Sequence, residues 1–306
     1  MMMHGAERFS FAALGCLPYG PDSFADFQRV LDEIDRHHPA FAMHLGDIKA
    51  GGEVPTIAHY ERVRAAFDRM ETPLIYTPGD NEWTDVVRES NGHQDQLEWL
   101  ARIRTMFFDS EESRGKHPIP LVTQRHEEKY AKFVENARWD HEGVVFATVD
   151  AVGSWNNDQP EIPGAVEEFT ERDAADAVWI QEAFAHARET DAFGVVLAFQ
   201  VDPFASDFGR EGYSRGMKHF LDTIEKEARA FAKPVLLVHA DDHNYHLDPH
   251  MAFVKGGEPI PNVTRLGVFG DKSRHAVIVV VDPDREGLFL CGPLLVPGNA
   301  LPVVHH

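Results

Sequence analysis

The chain has 306 residues, of which 43% are hydrophobic and 26% are charged. This composition is typical of a globular protein with a substantial core, and it excludes an intrinsically disordered chain. Asp and Glu outnumber Lys and Arg by 50 to 29, and the formal net charge of -21 excludes a generic binder of nucleic-acid backbones.

The first part of the sequence alternates predicted strands with predicted helices. Apolar runs predict strands at residues 9–15, 40–45 and 73–76. Apolar residues at helical spacing predict helices at residues 22–38 and 60–70. Because strands and helices alternate strictly here, this part of the chain is predicted to form a largely parallel sheet.

The rest of the sequence adds both helices and antiparallel strands. A turn at residues 140–143 predicts a hairpin, and the last apolar stretches resemble a β-meander. The predicted elements are helices at residues 94–108, 166–188 and 216–231, strands at 130–139, 144–150, 195–199 and 235–238, and the meander at 263–290. No repeat or Gly/Ser linker divides residues 1–306, so we expect one α/β domain with two packed sheets and helices outside.

Only two cysteines occur, Cys16 and Cys291, which excludes a disulfide framework or a four-thiolate zinc site. Residues 1–10 contain no apolar core of signal-peptide length, and no stretch has the length and hydrophobicity of a membrane span. We therefore expect a cytoplasmic protein without a membrane partner, and a removed export signal stays an alternative. The oligomeric state is left open.

Two Gly-Asp pairs follow the second and third predicted strands. Asp47 comes directly after a strand, and its two carboxylate oxygens can each bind one metal ion; capping of the next helix is the alternative. Asp80 can supply a hard anionic ligand, and Asn81 either a carbonyl oxygen to a metal or an N–H to a substrate. An ordinary Asx turn is the alternative there.

Further candidate ligands follow the later strands. His239 and His243 lie within five residues after an apolar strand, and imidazole suits zinc, iron and manganese; a solvated loop is the alternative. Gln200 and Asp202 end another strand, and Asp202 is the better ligand. Because the carboxyl ends of strands in an α/β sheet meet at one crevice, these side chains are expected to converge on a metal site.

Taken in order, these motifs resemble those of the calcineurin-like metallophosphoesterase superfamily. The similarity is greatest to a bacterial branch with Gly-Asp-x-Pro-Tyr, Gly-Asp-x-Lys, Gly-Asp-Asn-Glu-Trp and His-Gly-Asp-x-His blocks. Here the corresponding blocks are residues 15–19, 46–49, 79–83 and 239–243, and the likeness spans roughly residues 9–250. The resemblance implies a four-layer αββα fold, in which two mixed sheets pack as a sandwich flanked by helices.

The resemblance also implies roles for single residues. Asp47 would bridge two divalent ions, Asp80 or, in an alignment shifted by one residue, Asn81 would be a ligand, and His239 and His243 would bind different ions. The chain departs from the family at Cys16, which replaces a carboxylate, and at Gln200, which replaces a His. One or two ions of manganese, iron or zinc are therefore expected, with Cys16 as a further ligand.

These roles imply hydrolysis of a small phosphorylated substrate, a phosphate mono- or diester, by hydroxide generated from metal-bound water. The substrate oxygens would be held by Asn81, Lys49, Asn157, Tyr19 and Gln200, although surface or turn positions also explain Lys49 and Asn157. Asn81 cannot donate a proton as an acid, so Asp202, His246 or water would protonate the leaving group. The alternatives are a catalytically impaired protein of this fold that binds a ligand or partner, and a metal-dependent amide or ester hydrolase.

Overall fold

A computed structural model describes residues 6–204, 216–254 and 257–301. Twelve strands are present in these ranges: β1 (Phe9–Leu14), β2 (Ala42–Leu45), β3 (Leu74–Thr77), β4 (Val122–Thr123), β5 (Ala137–His141), β6 (Val144–Thr148), β7 (Gly194–Ala198), β8 (Val235–His239), β9 (His246–Pro249), β10 (Val263–Gly267), β11 (Ala276–Val281) and β12 (Phe289–Leu294). The helices there are α1 (Gly20–His37), α2 (Ile57–Asp68), α3 (Gln96–Phe107), α4 (Gly153–Asn156), α5 (Ala165–Glu189) and α6 (Lys218–Phe231), with short 3₁₀ turns at Thr84–Val87, Glu89–Asn91 and Gln124–His126.

The strands form two mixed sheets. The first has the order β12-β11-β1-β2-β3, in which β1, β2 and β3 are parallel and β11 runs antiparallel to both β1 and β12. The second has the order β4-β5-β6-β7-β8-β10-β9, with β6, β7, β8 and β10 parallel. Each sheet therefore contains a set of adjacent parallel strands, whose carboxyl ends all lie at the same end of the sheet.

The two sheets pack face to face. Phe11 and Phe41 of the first sheet meet Phe146 and Trp139 of the second in edge-on ring contacts, within a fully buried apolar layer. The outer face of the first sheet packs against α1, α2 and α3, and that of the second packs against α5 and α6. The predicted sandwich of two mixed sheets flanked by helices is confirmed.

Two predicted β segments differ from the structure. Residues 130–136 lie in turns, and the strand begins only at Ala137. Tyr130 and Phe133 are nevertheless buried, because they pack in a small cluster with Ala175 of α5, and this burial gave the segment its strand-like pattern. The meander predicted at 263–290 is wrong as one unit: β10 pairs with β8 in the second sheet, whereas β11 pairs with β1 in the first.

A search of the described residues for a helix long and apolar enough to cross a bilayer returned none. The first five residues of the segment considered for a leader lie outside the described residues.

Candidate metal centre

The carboxyl ends of the parallel strands carry the predicted site residues. Cys16 follows β1, Asp47 follows β2, and Asp80 follows β3; Gln200 follows β7, and Asp241 follows β8. The face-to-face packing of the sheets brings both sets of strand ends to one place. Of the side chains that were predicted to converge, Cys16, Asp47, Asp80, Gln200 and His243 do so here, joined by Asp241, whereas His239 and Asp202 lie in a neighbouring group.

Asp47 lies at the centre of this group. Its Oδ1 atom accepts a hydrogen bond of 3.2 Å from the Asn81 backbone N–H. Its Oδ2 atom accepts from the Cys16 thiol at 3.4 Å, the Tyr19 hydroxyl at 3.1 Å and the Gln200 amide at 3.2 Å. The side chain is only 2% exposed. A buried carboxylate contacted from several strand ends is placed to bind more than one cation.

Among the described residues, three groups of side chains could hold an ion, and two of them share Asp47. The first of these two, here called the carboxylate triad, consists of Asp47, Asp80 and Asp241. Each offers one oxygen, and these oxygens lie within 4.8 Å of one another. Asp80 is held by the Gln200 amide at 3.1 Å and by the Ser154 hydroxyl at 2.8 Å. Hard oxygen donors of this kind suit manganese and magnesium.

Cys16, Asp47 and His243 form the second group, here called the thiol triad, whose ligand atoms also lie within 4.8 Å of one another. The Asp241 backbone N–H donates to the Cys16 sulfur at 3.2 Å, so the β8 loop links both triads. His243 Nδ1 is buried without a hydrogen-bond partner, while its Nε2 atom lies 3.2 Å from the Tyr19 hydroxyl. The two triads share Asp47, as the bridging role implied by the resemblance requires.

The electrostatics of this group favour a bound cation. Burial, followed by repulsion from Asp80 and Glu82, raises the pKa of Asp47 well above its usual value, and burial and Asp80 do the same to the pKa of Asp241. Burial also raises the pKa of the Cys16 thiol and lowers that of His243 to about 4. His243 is therefore neutral at physiological pH, and a divalent cation would offset the repulsion among the carboxylates.

The backbone around these ligands is unusual. Cys16, Asp47, Asp241 and His243 all adopt left-handed conformations, with φ of 54°, 58°, 72° and 64°. Such conformations cost non-glycine residues roughly 1–3 kcal/mol each and persist where surrounding structure enforces them, often at functional sites. Their coincidence in one cluster supports a functional role for these loops.

The turn α4 supports Asp80 from the second sheet. Its residues Ser154, Trp155 and Asn156, together with the following Asn157, have φ of 49°, 61°, 54° and 65°, a run of left-handed backbone. The Ser154 hydroxyl donates to Asp80, and the Gly153 backbone N–H donates to the side-chain amide oxygen of Gln200 at 2.7 Å. The turn thus fixes two side chains at the centre.

Glycine is required where β3 ends. A Cβ atom on Gly79 would lie 2.2 Å from the Asp47 carboxylate, closer than real Cβ contacts permit. The absence of a side chain lets the β2 and β3 loops approach each other and brings Asp80 next to Asp47.

His239 belongs to a neighbouring group rather than to either triad. Its Nε2 atom accepts from the Arg265 guanidinium at 2.8 Å, and its Nδ1 atom lies 3.0 Å from the Ala240 carbonyl oxygen. Both ring nitrogens therefore have partners. Arg265 also donates to Asp202 at 2.8 Å, and the ligand atoms of Asp202, His239 and Asp242 lie within 4.8 Å of one another.

Asp202 is therefore held by an arginine, and its Oδ1 atom also accepts from the Phe204 backbone N–H at 3.0 Å. His246, the other candidate proton donor, lies beside Asp242 with a 3.4 Å separation between Nδ1 and the carboxylate. Both candidates belong to the group around Arg265, whereas Asn81 contacts Asp47 and Tyr19.

Lys49 and Asn157 do not contact the triads. The Lys49 ammonium is almost fully buried and donates to the Ala50 carbonyl oxygen and to Asn91. Asn157 donates to Glu168 of α5 at 2.9 Å. These contacts give both residues structural partners, so a direct role in holding substrate oxygens has no support from their positions.

Three residues at the centre escaped the sequence analysis. Asp241 was detectable, because it lies between the two selected histidines and matches the Asp of the His-Gly-Asp-x-His block. Ser154 and Arg265 carried no signal, because a serine in a polar turn and an arginine in a strand are common. Only the packing of the two sheets shows that they contact Asp80 and His239.

The donor atoms fit divalent ions. Ligands bound at about 2.0–2.3 Å from one ion lie at most about 4.6 Å apart, so the spacing within each triad admits an ion after small side-chain adjustments. The unpartnered nitrogen of His243 and the clustered buried carboxylates are the features that a bound ion would satisfy. Two ions bridged by Asp47 fit this arrangement.

Comparisons with known proteins agree at the level of the fold. No protein-family model and no curated protein sequence matches the chain. Among solved structures, a dimetal phosphatase from Danio rerio is similar with a TM-score of 0.57 and 9% identity, covering 94% of this chain and 99% of that one.

Two further structures match over most of this chain. PhoD has a TM-score of 0.56 and 13% identity over 90% of the chain, and a purple acid phosphatase from yellow lupin (Lupinus luteus) has 0.60 and 10% over 97%. The chain spans 64% of the length of PhoD and 53% of that of the lupin enzyme. These similarities establish the calcineurin-like metallophosphoesterase fold.

Proposed function

We propose that this protein is a metal-dependent phosphoesterase that hydrolyses a phosphate mono- or diester of small size. The observation that carries the proposal is the pair of triads that share Asp47 at the strand ends of a fold found in dimetal phosphatases. Divalent ions held there would polarise phosphoryl oxygens and lower the pKa of bound water. The negative surface implied by a net charge of -21 favours a small substrate over a nucleic-acid backbone.

The chain's own residues supply positioning and a proton. Asn81 has an amide that donates to the Tyr19 hydroxyl at 2.9 Å, and this amide can turn to a substrate oxygen. Tyr19 is half-buried, and its hydroxyl donates to Asp47 Oδ2 at 3.1 Å. An O–H group beside the triads is a candidate proton donor to the leaving oxygen.

A second candidate function is a protein of this fold that binds a ligand or partner without turnover. One observation favours it: the Gln200 amide donates to both Asp47 and Asp80, where the superfamily places a histidine. The Gln200 N–H group partly offsets the charge of these two carboxylates, but it cannot bind a metal ion as a histidine would. The centre would then hold its ions with one ligand fewer. Turnover measurements distinguish the two candidates.

The test is hydrolysis of p-nitrophenyl phosphate and bis(p-nitrophenyl) phosphate by protein supplied with manganese or zinc. We expect turnover by the unaltered chain and its loss to background in Asp47→Asn, which keeps the shape of the side chain but removes the shared charge. Asp32→Asn, which alters an exposed carboxylate on α1, is the matched control and should change nothing. Stoichiometric metal without hydrolysis of either ester would contradict the proposal and favour the second candidate.

A further inference from the structure

The two triads differ in the chemistry of their donor atoms. The carboxylate triad offers only oxygen, from Asp47, Asp80 and Asp241, whereas the thiol triad offers sulfur from Cys16, oxygen from Asp47 and nitrogen from His243. Thiolate and imidazole favour zinc and other borderline or soft ions, and carboxylate oxygens favour hard ions such as manganese and magnesium. The two triads are therefore expected to prefer different metal ions.

We propose that the centre sorts its ions: zinc binds at the thiol triad and manganese at the carboxylate triad, with Asp47 between them. The proposal rests on the metal centre of the proposed function and does not require turnover. In this proposal, Cys16 is the residue that makes the thiol triad prefer zinc over manganese.

The position of Cys16 supports a ligand role. The sulfur is fully buried and lies 3.4 Å from Asp47, and the Asp241 backbone N–H donates to it at 3.2 Å. An N–H donor to sulfur stabilises a thiolate and orients it, as outer partners do in other metal sites. Binding of zinc replaces the thiol proton, which passes to the solvent, and no oxidation or reduction is involved.

Gly270 packs directly against the thiol triad. Cys16 and His243 come from loops of different sheets, and a Cβ atom on Gly270 would lie 2.6 Å from His243 and 3.0 Å from Cys16. The glycine therefore leaves both side chains room to face each other. Cys291, the other cysteine, lies on β12 and belongs to neither triad, so it serves as an internal control.

The experiment measures metal content after metal-free protein is given one equivalent of zinc per chain with manganese in large excess, which offsets the generally tighter binding of zinc, and is then freed of unbound ions. We expect about one zinc and one manganese per chain. In Cys16→Asp the zinc-to-manganese ratio should fall at least tenfold, since the thiol triad then offers two carboxylates and one imidazole. Cys291→Ser should keep the ratio of the unaltered protein.

A second readout uses cobalt in place of zinc. A thiolate ligand gives an intense sulfur-to-cobalt charge-transfer absorption, which we expect in the unaltered protein and in Cys291→Ser but not in Cys16→Ser. If the variants at Cys16 do not fold, the unaltered protein and Cys291→Ser still decide the matter through this band. Two manganese ions per chain, or no sulfur-to-cobalt band, would overturn the proposal, and hydrolysis bears on neither result.

Discussion

Tyr19 lies against the thiol triad and next to Asn81. Its hydroxyl contacts Asp47, His243 and Asn81 at 3.1, 3.2 and 2.9 Å, so one O–H group touches the shared ligand, a thiol-triad ligand and a positioning amide. The resemblance placed Tyr19 in the first block without assigning it a chemical step. Under the proposed function, this hydroxyl is our candidate proton donor to the leaving oxygen.

Tyr19→Phe tests this role through the leaving group. A poor leaving group such as an alkoxide needs a proton in the transition state, whereas p-nitrophenolate does not. We expect kcat for an alkyl phosphate to fall about 10²–10⁴-fold, the usual contribution of general acid catalysis, and kcat for p-nitrophenyl phosphate to change little. Equal losses for both substrates, or loss of bound metal, would assign Tyr19 a structural role instead.

At the scale of the element, the loops that follow the strands carry the candidate metal ligands, and the strands fix the positions of these loops. The β2 and β3 loops meet because Gly46 and Gly79 carry no side chain, and a Cβ atom on Gly46 would lie 2.4 Å from the Gly79 nitrogen. The α4 turn closes the other side, and the side chain of Arg172 on α5 holds it. These close contacts with neighbouring elements restrict each loop to one conformation.

Gly153→Ala tests the contact between α4 and Asp80. A Cβ atom there would lie 2.6 Å from Asp80 Oδ2, so the carboxylate must move away from the carboxylate triad. We expect affinity for manganese to fall at least tenfold while the protein loses only about 1–3 kcal/mol of stability from overpacking. Titration calorimetry on Gly52→Ala, whose added atom meets nothing within 4 Å, provides the control.

Arg172→Met tests how α5 supports the same turn. The guanidinium is fully buried and donates to the Asp150 carbonyl oxygen at 2.6 Å, to the Asn156 side-chain and backbone oxygens at 2.7 and 2.9 Å, and to Glu168. Removing it strands a buried carboxylate and several acceptors, so we expect a loss of about 3–5 kcal/mol in urea unfolding. Arg102→Met, in an exposed pair with Glu98, should cost at most about 1 kcal/mol. A similar effect of both would show that burial does not matter here.

At the scale of the whole molecule, periodic patterns predicted most of the architecture. Long amphipathic helices such as α1 and α5 and the buried parallel strands have clear patterns, so they were placed within a few residues. The pairing of β10 and β11 with different sheets left no local trace, because an apolar strand does not encode its neighbour. That residues 1–306 form one domain stays a prediction.

The candidate site was predictable in part for the same reason. Asp47 and Asp80 could be found because a carboxylate after Gly at a strand end is a recognisable local pattern. His239 was chosen for its residue type, but its lone pair is taken by Arg265, a partner 26 residues away. Asp241, two residues further on, is the residue of that loop that joins Asp47 and Asp80. Which of these two neighbouring residues lies beside Asp47 depends on tertiary contacts that the local sequence does not show.

The stabilisation of the whole molecule by metal should grow with pH. The raised pKa values of Asp47 and Asp241 mean that the metal-free folded state keeps protons that the unfolded chain has released above about pH 3.9. These two carboxyl groups therefore make the metal-free folded state less stable as pH rises. A bound ion requires both groups deprotonated, so the ion binds more tightly as pH rises. His243, with a pKa of about 4, is already neutral in the folded chain, so it adds no pH dependence to metal binding between pH 5 and 8.

Thermal unfolding with and without zinc plus manganese from pH 5 to pH 8 measures this linkage. We expect the difference in Tm to increase across the range, and the stabilisation to approach about 2.7 kcal/mol when the free ion concentration is 100 times Kd. A chelator should reverse it. Asp47→Asn should show no difference at any pH, and a difference that is flat or shrinks with pH would contradict the linkage.

The left-handed run of residues 154–157 has a consequence for protein engineering. Glycine would adopt those dihedral angles at lower cost than serine, tryptophan or asparagine, but it would remove the side-chain hydrogen bonds of Ser154, Asn156 and Asn157. A laboratory selection for heat tolerance alone responds only to the sum of these two effects, so a Ser154→Gly change that it accepts would remove the support of Asp80. Thermostabilised libraries of this chain should be screened for ion retention as well as for survival on heating.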